Sequence, residues 1–172
     1  MQILEGLKLP RKLIVSWQMQ RDMLEQIYRK IIQDGFSPDF VAAIARGGLT
    51  IGHCFSDWFG VPIVVVVAES YHNNKREEEI HFSRHCSYTS ETVEGQVLLV
   101  DDLTDSGQTI TKTKGYLRGK FPGITGFKTA CLLHKETSTI EPDYYAKLVK
   151  VRGDDTTPWV EFPQERAPEV RT

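Results

Sequence analysis

The sequence is poor in cysteine, in net charge and in long apolar runs, and each shortage excludes a class of protein. Its three cysteines are an odd number without C-x-x-C spacing, so we expect reduced thiols in the cytoplasm. The formal net charge of −2 gives no general attraction to nucleic acid or to an anionic membrane surface. No apolar run reaches the roughly 18–20 residues of a membrane helix. The N-terminus has no basic region before an apolar stretch, so we expect no secretory signal.

The sequence does contain an alternation of apolar strands and amphipathic helices. Its 172 residues suit one domain with a sizeable core, spanning residues 1–172. A short apolar segment, 13–15, precedes Ser16, which we expect to cap the first helix. The predicted strands are 40–45, 61–68, 97–100, 127–133 and 144–151, and the predicted helices are 17–33, 47–59 and 106–120. This alternation predicts an α/β fold with a mainly parallel sheet and helices on both faces.

Residues 69–94 interrupt this alternation with a charged, aperiodic segment. A connection of this length inside a compact domain is typical either of a functional lid or of a solvated, disordered charge run. We therefore expect a flexible loop at about 69–94, and both interpretations stay open because lids are drawn from segments of low stability.

The most informative segment is 97–109, V-L-L-V-D-D-L-T-D-S-G-Q-T. Its four apolar residues predict a buried strand of a parallel sheet. Asp101 and Asp102 follow at the carboxyl end, where open α/β sheets bind ligands, and Asp105 comes within one turn. Ser106 and Gly107 then begin a helix, whose first amides and positive dipole favour an anion. The segment therefore predicts carboxylates for sugar hydroxyls or Mg²⁺ beside a phosphate site.

This segment resembles the 5-phosphoribosyl-1-pyrophosphate (PRPP) motif of type I phosphoribosyltransferases. Receiver domains and Mg²⁺-dependent hydrolases also carry paired acids after a strand, but neither needs the Ser-Gly-Gln-Thr sequence that follows here. The resemblance implies that Asp101 and Asp102 bind the ribose hydroxyls and Mg²⁺, and that Asp105 is the general base. It also implies a set of residues around the 5-phosphate: Asp105, Ser106, Gly107, Gln108 and Thr109.

Two further segments match the same family. Arg46 and Gly47 lie between a predicted strand and a predicted helix, and a guanidinium beside a bare backbone suits phosphate oxygens. On their own, these residues favour an ordinary strand-to-helix turn with a solvated arginine. The resemblance implies that they bind pyrophosphate, often through a non-proline cis peptide. It also implies that Ser70 and Tyr71 open a flexible catalytic loop.

The last part of the chain resembles the 6-oxopurine branch of the family, and within it the bacterial xanthine-guanine enzymes. Lys135 corresponds to a lysine that donates to the purine O6, Trp159 to an aromatic residue that stacks on the base, and Val160 to a residue whose backbone reads the purine edge. The resemblance implies a small base-binding hood at about 152–166. The chain departs from the pattern at Ser106, where threonine is common, and at Pro158 before the tryptophan.

The resemblance implies an enzyme that joins guanine, xanthine or hypoxanthine to PRPP with Mg²⁺. Its products would be a purine nucleoside 5′-monophosphate and pyrophosphate. We also expect a homo-oligomer, a dimer or a tetramer, without a nucleic-acid partner. Two alternatives stay open: a PRPP-binding regulator of the same fold without turnover, and an orotate or other pyrimidine phosphoribosyltransferase.

Overall fold

The computed structural model describes residues 12–72, 75–150 and 158–167, and the side chains of these residues other than 70–79. The strands are β1 (Lys12–Ile14), β2 (Phe40–Ala45), β3 (Ile63–His72), β4 (Lys75–Phe82), β5 (Ser87–Tyr88), β6 (Gly95–Thr104), β7 (Ile124–Lys135), β8 (Tyr144–Val149) and β9 (Trp159–Glu161). The helices are α1 (Trp17–Gln33), α2 (Gly48–Phe59) and α3 (Gln108–Lys120), with a 3₁₀ turn at Pro163–Glu165.

A central sheet has the strand order β4-β3-β2-β6-β7-β8, and β5 also pairs with β3. The pairs among β3, β2, β6, β7 and β8 are parallel, while β4 and β5 pair with β3 in the antiparallel direction. The carboxyl ends of β2, β6 and β7 therefore lie side by side. This arrangement confirms the prediction of an α/β fold with a mainly parallel sheet.

The two faces of β6 lie in two separate hydrophobic clusters. Leu98 and Val100 pack in a cluster that contains the buried residues of α1 and α2, whereas Val97 and Leu99 pack in a cluster with those of α3. Alternate strand residues point to opposite faces, so an unbroken apolar run is what a strand covered on both sides requires. Helices therefore cover both faces of the sheet, as predicted.

The ends of the predicted helices follow from local chemistry. The Oγ atom of Ser16 accepts a hydrogen bond from the amide of Met19 at 3.1 Å, which caps α1. Gly60 ends α2 in the left-handed conformation, with φ of 67°. Strand β7 extends beyond its predicted range at both ends, because main-chain pairing continues past its most apolar residues. Among the described residues, no helix is both long and apolar enough to cross a membrane.

The prediction of a loop at 69–94 is wrong for residues 69–72, 75–82 and 87–88, whose backbone lies in strands, while 83–86 and 89–94 have no helix or strand and 73–74 lie outside the described residues. Strand β3 continues to His72 and pairs with β4, and the short strand β5 follows. Antiparallel pairing uses main-chain hydrogen bonds, which a strand can form without hydrophobic alternation. These two strands therefore carry no periodic hydrophobic pattern that sequence analysis could detect. Closure of the segment over a ligand stays a prediction.

The hood contains a strand from the N-terminal part of the chain as well as the predicted C-terminal segment. Strand β1 pairs with β9 in parallel, and Lys12 forms an ion pair with Glu161 at 2.7 Å. The amide of Val15 donates to the carbonyl of Glu161 at 2.9 Å, and Arg166 donates to the carbonyl of Val15 at 2.5 Å. The predicted hood at 152–166 is thus incomplete without β1, and its first part, 152–157, lies outside the described residues.

Candidate active site

The candidate site lies where β2, β6 and β7 end next to one another in the sheet. Arg46 follows β2 directly, Asp101 and Asp102 lie in the last part of β6, and Lys135 is the final residue of β7. Residues from three separate parts of the sequence therefore meet at one sheet edge, and sequence analysis had singled out all four of them. Such an edge is the usual ligand site of an open parallel sheet.

Two glycines allow the turn after β2 to approach the acids of β6. A Cβ atom at Gly47 would collide with the carboxylate of Asp102, and one at Gly48 would lie 2.6 Å from the carbonyl oxygen of Val100. Any larger residue would push this turn away from β6. The peptide bond between Ala45 and Arg46 is cis, as the family resemblance implied. The predicted pyrophosphate residues thus lie directly against the predicted ribose residues.

The two acids of β6 are buried, and each is affected by the charge of another carboxylate. Burial, followed by the charge of Asp102, holds the pKa of Asp101 well above its usual value. Burial, together with the charge of Glu165, raises the pKa of Asp102 to about 7. Sequence analysis missed Glu165, whose Oε2 also accepts a hydrogen bond from the amide of Phe162 at 2.8 Å. Glu165 lies in the 3₁₀ turn after β9, far along the chain from β6. No local sequence pattern therefore indicated that it would lie near Asp102.

A divalent cation fits this environment. A cation beside Asp101 and Asp102 would offset the burial and repulsion that raise both pKa values. Among the residues that the structure describes, no group of three His, Cys, Asp or Glu side chains could hold a metal by itself. Mg²⁺ is often bound by one or two carboxylates together with substrate phosphates. Asp101 and Asp102 are therefore suited to hold Mg²⁺ with the help of a ligand.

The predicted phosphate loop lies between β6 and α3. Gly107 is the N-cap residue of α3, with φ of 81°, a conformation that L side chains rarely adopt. A Cβ atom there would also collide with Ile140 and would lie 3.1 Å from the Oγ of Ser138. Ser106 precedes this glycine, and α3 begins at Gln108, two residues after the predicted start of the helix at Ser106. The loop therefore presents hydroxyls and amides at a helix N-terminus, which favours an anion.

A buried cation lies beside this loop. The Nζ atom of Lys135 is 3.2 Å from Oδ1 of Asp105, and their side chains are 9% and 36% exposed. Lys135 is thus a largely buried residue with a charged partner, whereas a surface lysine was the ordinary expectation for this residue type. Asp105 is the first residue after β6. The contact joins the predicted general base to the predicted base-binding lysine.

The hood supplies an aromatic side chain that is open to a ligand. Trp159 is 62% exposed and Val160 is 6% exposed, so the ring lies outside the core while its neighbour anchors β9. Ser70 and Tyr71 were predicted to open a loop, but their backbone lies in β3. Their side chains lie outside the described set.

Comparison with known families identifies the fold. The family model described as "Phosphoribosyl transferase domain" matches residues 16–166, which is most of the chain. The chain belongs to this family. It is therefore a glycosyltransferase of the pentosyltransferase kind, as the segment 97–109 predicted. Cys54, Cys86 and Cys131 are free thiols in this phosphoribosyltransferase, as the cysteine count led us to expect. No curated protein matches the sequence at a significant level.

Solved structures share the fold of this phosphoribosyltransferase over 72% to 94% of its length. A purine phosphoribosyltransferase from Pyrococcus horikoshii is 24% identical, with 94% of this chain and 99% of that chain covered and a TM-score of 0.73. A xanthine-guanine-hypoxanthine phosphoribosyltransferase from Helicobacter pylori is 20% identical, with 90% and 94% covered and a TM-score of 0.69. An orotate phosphoribosyltransferase from Aeropyrum pernix is 20% identical, with 72% and 63% covered and a TM-score of 0.54.

Proposed function

We propose that this phosphoribosyltransferase joins a 6-oxopurine to PRPP and releases pyrophosphate. The observation that carries the proposal is the contact between Lys135 and Asp105, with 3.2 Å between Nζ and Oδ1. A 6-oxopurine presents O6 and N7 on one edge of the ring system. A cationic donor beside a carboxylate acceptor complements O6 together with a protonated N7. Two of the solved purine enzymes of this fold cover most of the chain, which is consistent with this assignment.

Adenine and orotate fit the same pair less well. Adenine carries an amino donor at the position of O6, and that donor would face the ammonium of Lys135. Orotate has one ring and lacks the imidazole edge that would reach Asp105. The exposed Trp159 offers a ring that can stack on a flat base, and the backbone of Val160 would read the edge of that base. The pair therefore favours guanine, xanthine and hypoxanthine.

In the proposed reaction, the bond between ribose C1 and the pyrophosphate oxygen breaks, and a bond from C1 to purine N9 forms. Pyrophosphate leaves with the electron pair, and the N7 proton passes to the carboxylate of Asp105 as general base. Arg46 and the amide of Gly47 would hold the departing pyrophosphate. Mg²⁺, held by Asp101 and Asp102, would supply charge neutralisation for the phosphates.

The remaining residues would hold the sugar phosphate. Asp101 and Asp102 would accept hydrogen bonds from the ribose 2′- and 3′-hydroxyls. The 5-phosphate would bind at Asp105 and at the loop that precedes α3, through Ser106, Gly107, Gln108 and Thr109. The free thiols suit a cytoplasmic enzyme.

One assay tests the proposal. Guanine, xanthine, hypoxanthine, adenine and orotate are each incubated with PRPP and Mg²⁺, and mononucleotide is measured by chromatography. We expect mononucleotide from at least one oxopurine and none from adenine or orotate. Turnover of orotate would support the pyrimidine alternative instead. PRPP binding by calorimetry without turnover of any base would support the regulator.

A further inference from the structure

The turn after β7 begins at Lys135, the proposed base-binding lysine, and contacts the phosphate loop before α3. The amide of Ser138 donates to the carbonyl of Lys135 at 3.0 Å, and the hydroxyl of Ser138 donates to the carbonyl of Ile140 at 2.8 Å. Ile140 packs against the hydrophobic cluster on the α3 side of the sheet. The turn is therefore fixed at both ends, and the residue between Ser138 and Ile140 has a defined position.

That residue, Thr139, binds the phosphate loop twice. Its Oγ1 donates to the carbonyl oxygen of Ser106 at 2.8 Å, and its amide donates to the same oxygen at 3.3 Å. The carbonyl of Ser106 and the amide of Gly107 belong to one peptide plane, in which C=O and N–H point in opposite directions. By holding the carbonyl, Thr139 turns the amide of Gly107 away from itself, toward the side that would receive an anion.

A second contact, an ion pair, joins the same two segments. Unlike the hydrogen bonds of Thr139, it would be broken when a base binds. The ion pair between Asp105 and Lys135 connects the loop to the end of β7 when no base is bound. A bound purine would take both partners, Lys135 at O6 and Asp105 at N7. The link through Thr139 involves no ligand-binding atom of that pair, so it can persist throughout the cycle.

We propose that Thr139 is a positioning residue that keeps the peptide between Ser106 and Gly107 facing the 5-phosphate while the base replaces the ion pair. The inference rests on the proposed function and assigns this residue a part in it. Thr139 is exposed, and a single hydrogen bond contributes a modest net free energy. Its loss should therefore weaken binding at the loop by about three- to tenfold.

The test compares three variants. Thr139→Val removes the hydroxyl and keeps the shape, Thr139→Ser restores the hydroxyl, and Thr137→Val makes the same change at an exposed threonine of the same turn. Calorimetry measures the affinity of each protein for ribose 5-phosphate, which carries the group bound by the loop. Pyrophosphate, bound by the turn after β2, is the control ligand. Steady-state assays give KM for PRPP and kcat.

We expect Thr139→Val to weaken ribose 5-phosphate binding and to raise KM for PRPP by about three- to tenfold, with pyrophosphate affinity unchanged. Thr139→Ser should restore the wild-type values, and Thr137→Val should match wild type. Wild-type affinity for ribose 5-phosphate in Thr139→Val would overturn the inference. Equal weakening of both ligands would also overturn it, since that result indicates general loosening.

Failure of the proposed function gives a different result. If the wild-type protein makes no mononucleotide from any base, the proposed function is wrong. An effect of Thr139→Val on ribose 5-phosphate alone would then still support the role of Thr139 in the loop. If the wild-type protein does not bind ribose 5-phosphate either, both proposals are overturned.

Discussion

The Nζ atom of Lys135 lies 3.2 Å from Oδ1 of Asp105, so the last residue of β7 and the first residue after β6 are in contact with opposite charges. A lysine is rarely this well buried unless a partner compensates its charge. Here the partner is also the residue that would remove a proton from the base. We therefore expect each residue to keep the other in place until a substrate with complementary groups binds both.

The general base can be tested by Asp105→Asn. The amide keeps the size of the side chain but cannot accept a proton, so we expect turnover to fall by about 10²-fold or more. PRPP binding, measured by calorimetry, should survive. Asp57→Asn changes an exposed carboxylate on α2, 68% exposed, and should leave turnover unchanged. Wild-type turnover by Asp105→Asn would exclude the proposed role.

The lid prediction can be tested by limited trypsin digestion of the hairpin. Trypsin can cut after Lys75 and Arg76 in β4, and after Arg84 beyond it. The hydroxyl of Tyr116 donates to the carbonyl of Ser83 at 2.9 Å, which fixes the chain next to Arg84. We expect PRPP with Mg²⁺ to slow cutting after Lys75 and Arg76 severalfold, because a closed lid protects it. Cutting after Arg84 is the internal control, because its rate should not change with the ligand. If PRPP with Mg²⁺ left the rate of cutting after Lys75 and Arg76 unchanged as well, that result would count against a lid.

A stability prediction concerns Asp143, just before β8. Burial alone would raise the pKa of its carboxyl, but hydrogen bonds from Thr129 and the charge of Lys128 outweigh burial and hold the pKa below its usual 3.8. The amide and the hydroxyl of Thr129 each donate to Asp143 at 2.8 Å. A depressed carboxyl pKa stabilises the folded state above the unfolded value, and this stability disappears as pH falls through the folded pKa.

We therefore expect Asp143→Asn to lower the free energy of unfolding by about 1 kcal/mol near neutral pH. The difference from wild type should shrink as the pH falls below 3.8. Urea denaturation at a series of pH values measures it, with the exposed Glu91→Gln as the control. A difference that stays constant with pH would show that the charge of Asp143 is not its source.

Sequence reasoning located most of the candidate site because its parts lie in short segments. The strand, the two acids and the phosphate loop occupy the continuous run 97–109, so their order alone carried the information. The strand-end position of Arg46 was also predictable, because parallel strands bring their carboxyl ends to one edge. The C-terminal part of the hood, which contains Trp159, was predicted from the family resemblance, but the strand β1 that completes it was not.

The features that sequence reasoning missed depend on contacts between distant segments. Strand β1 pairs with β9, which lies almost at the other end of the chain, and the short apolar segment 13–15 carries no sign of such a partner. Glu165 reaches the environment of Asp102 from the turn after β9. The β3–β4 hairpin is held by main-chain pairing, which leaves no hydrophobic period. In each case the feature depends on a tertiary contact or on main-chain pairing, which has no signature in the local sequence.

The most direct test of the central claim is the ratio of kcat/KM for the best-used oxopurine to that for adenine, in wild type and in Lys135→Ala. A site built to hydrogen-bond one substrate atom rejects the analogue without it by on the order of 10⁴-fold. We predict a wild-type ratio of this order that collapses in Lys135→Ala through loss of oxopurine use, while PRPP affinity stays unchanged. Lys147→Ala, at an exposed lysine of β8, should keep the wild-type ratio. Efficient use of adenine by the wild-type protein, or an unchanged ratio in Lys135→Ala, would contradict the account.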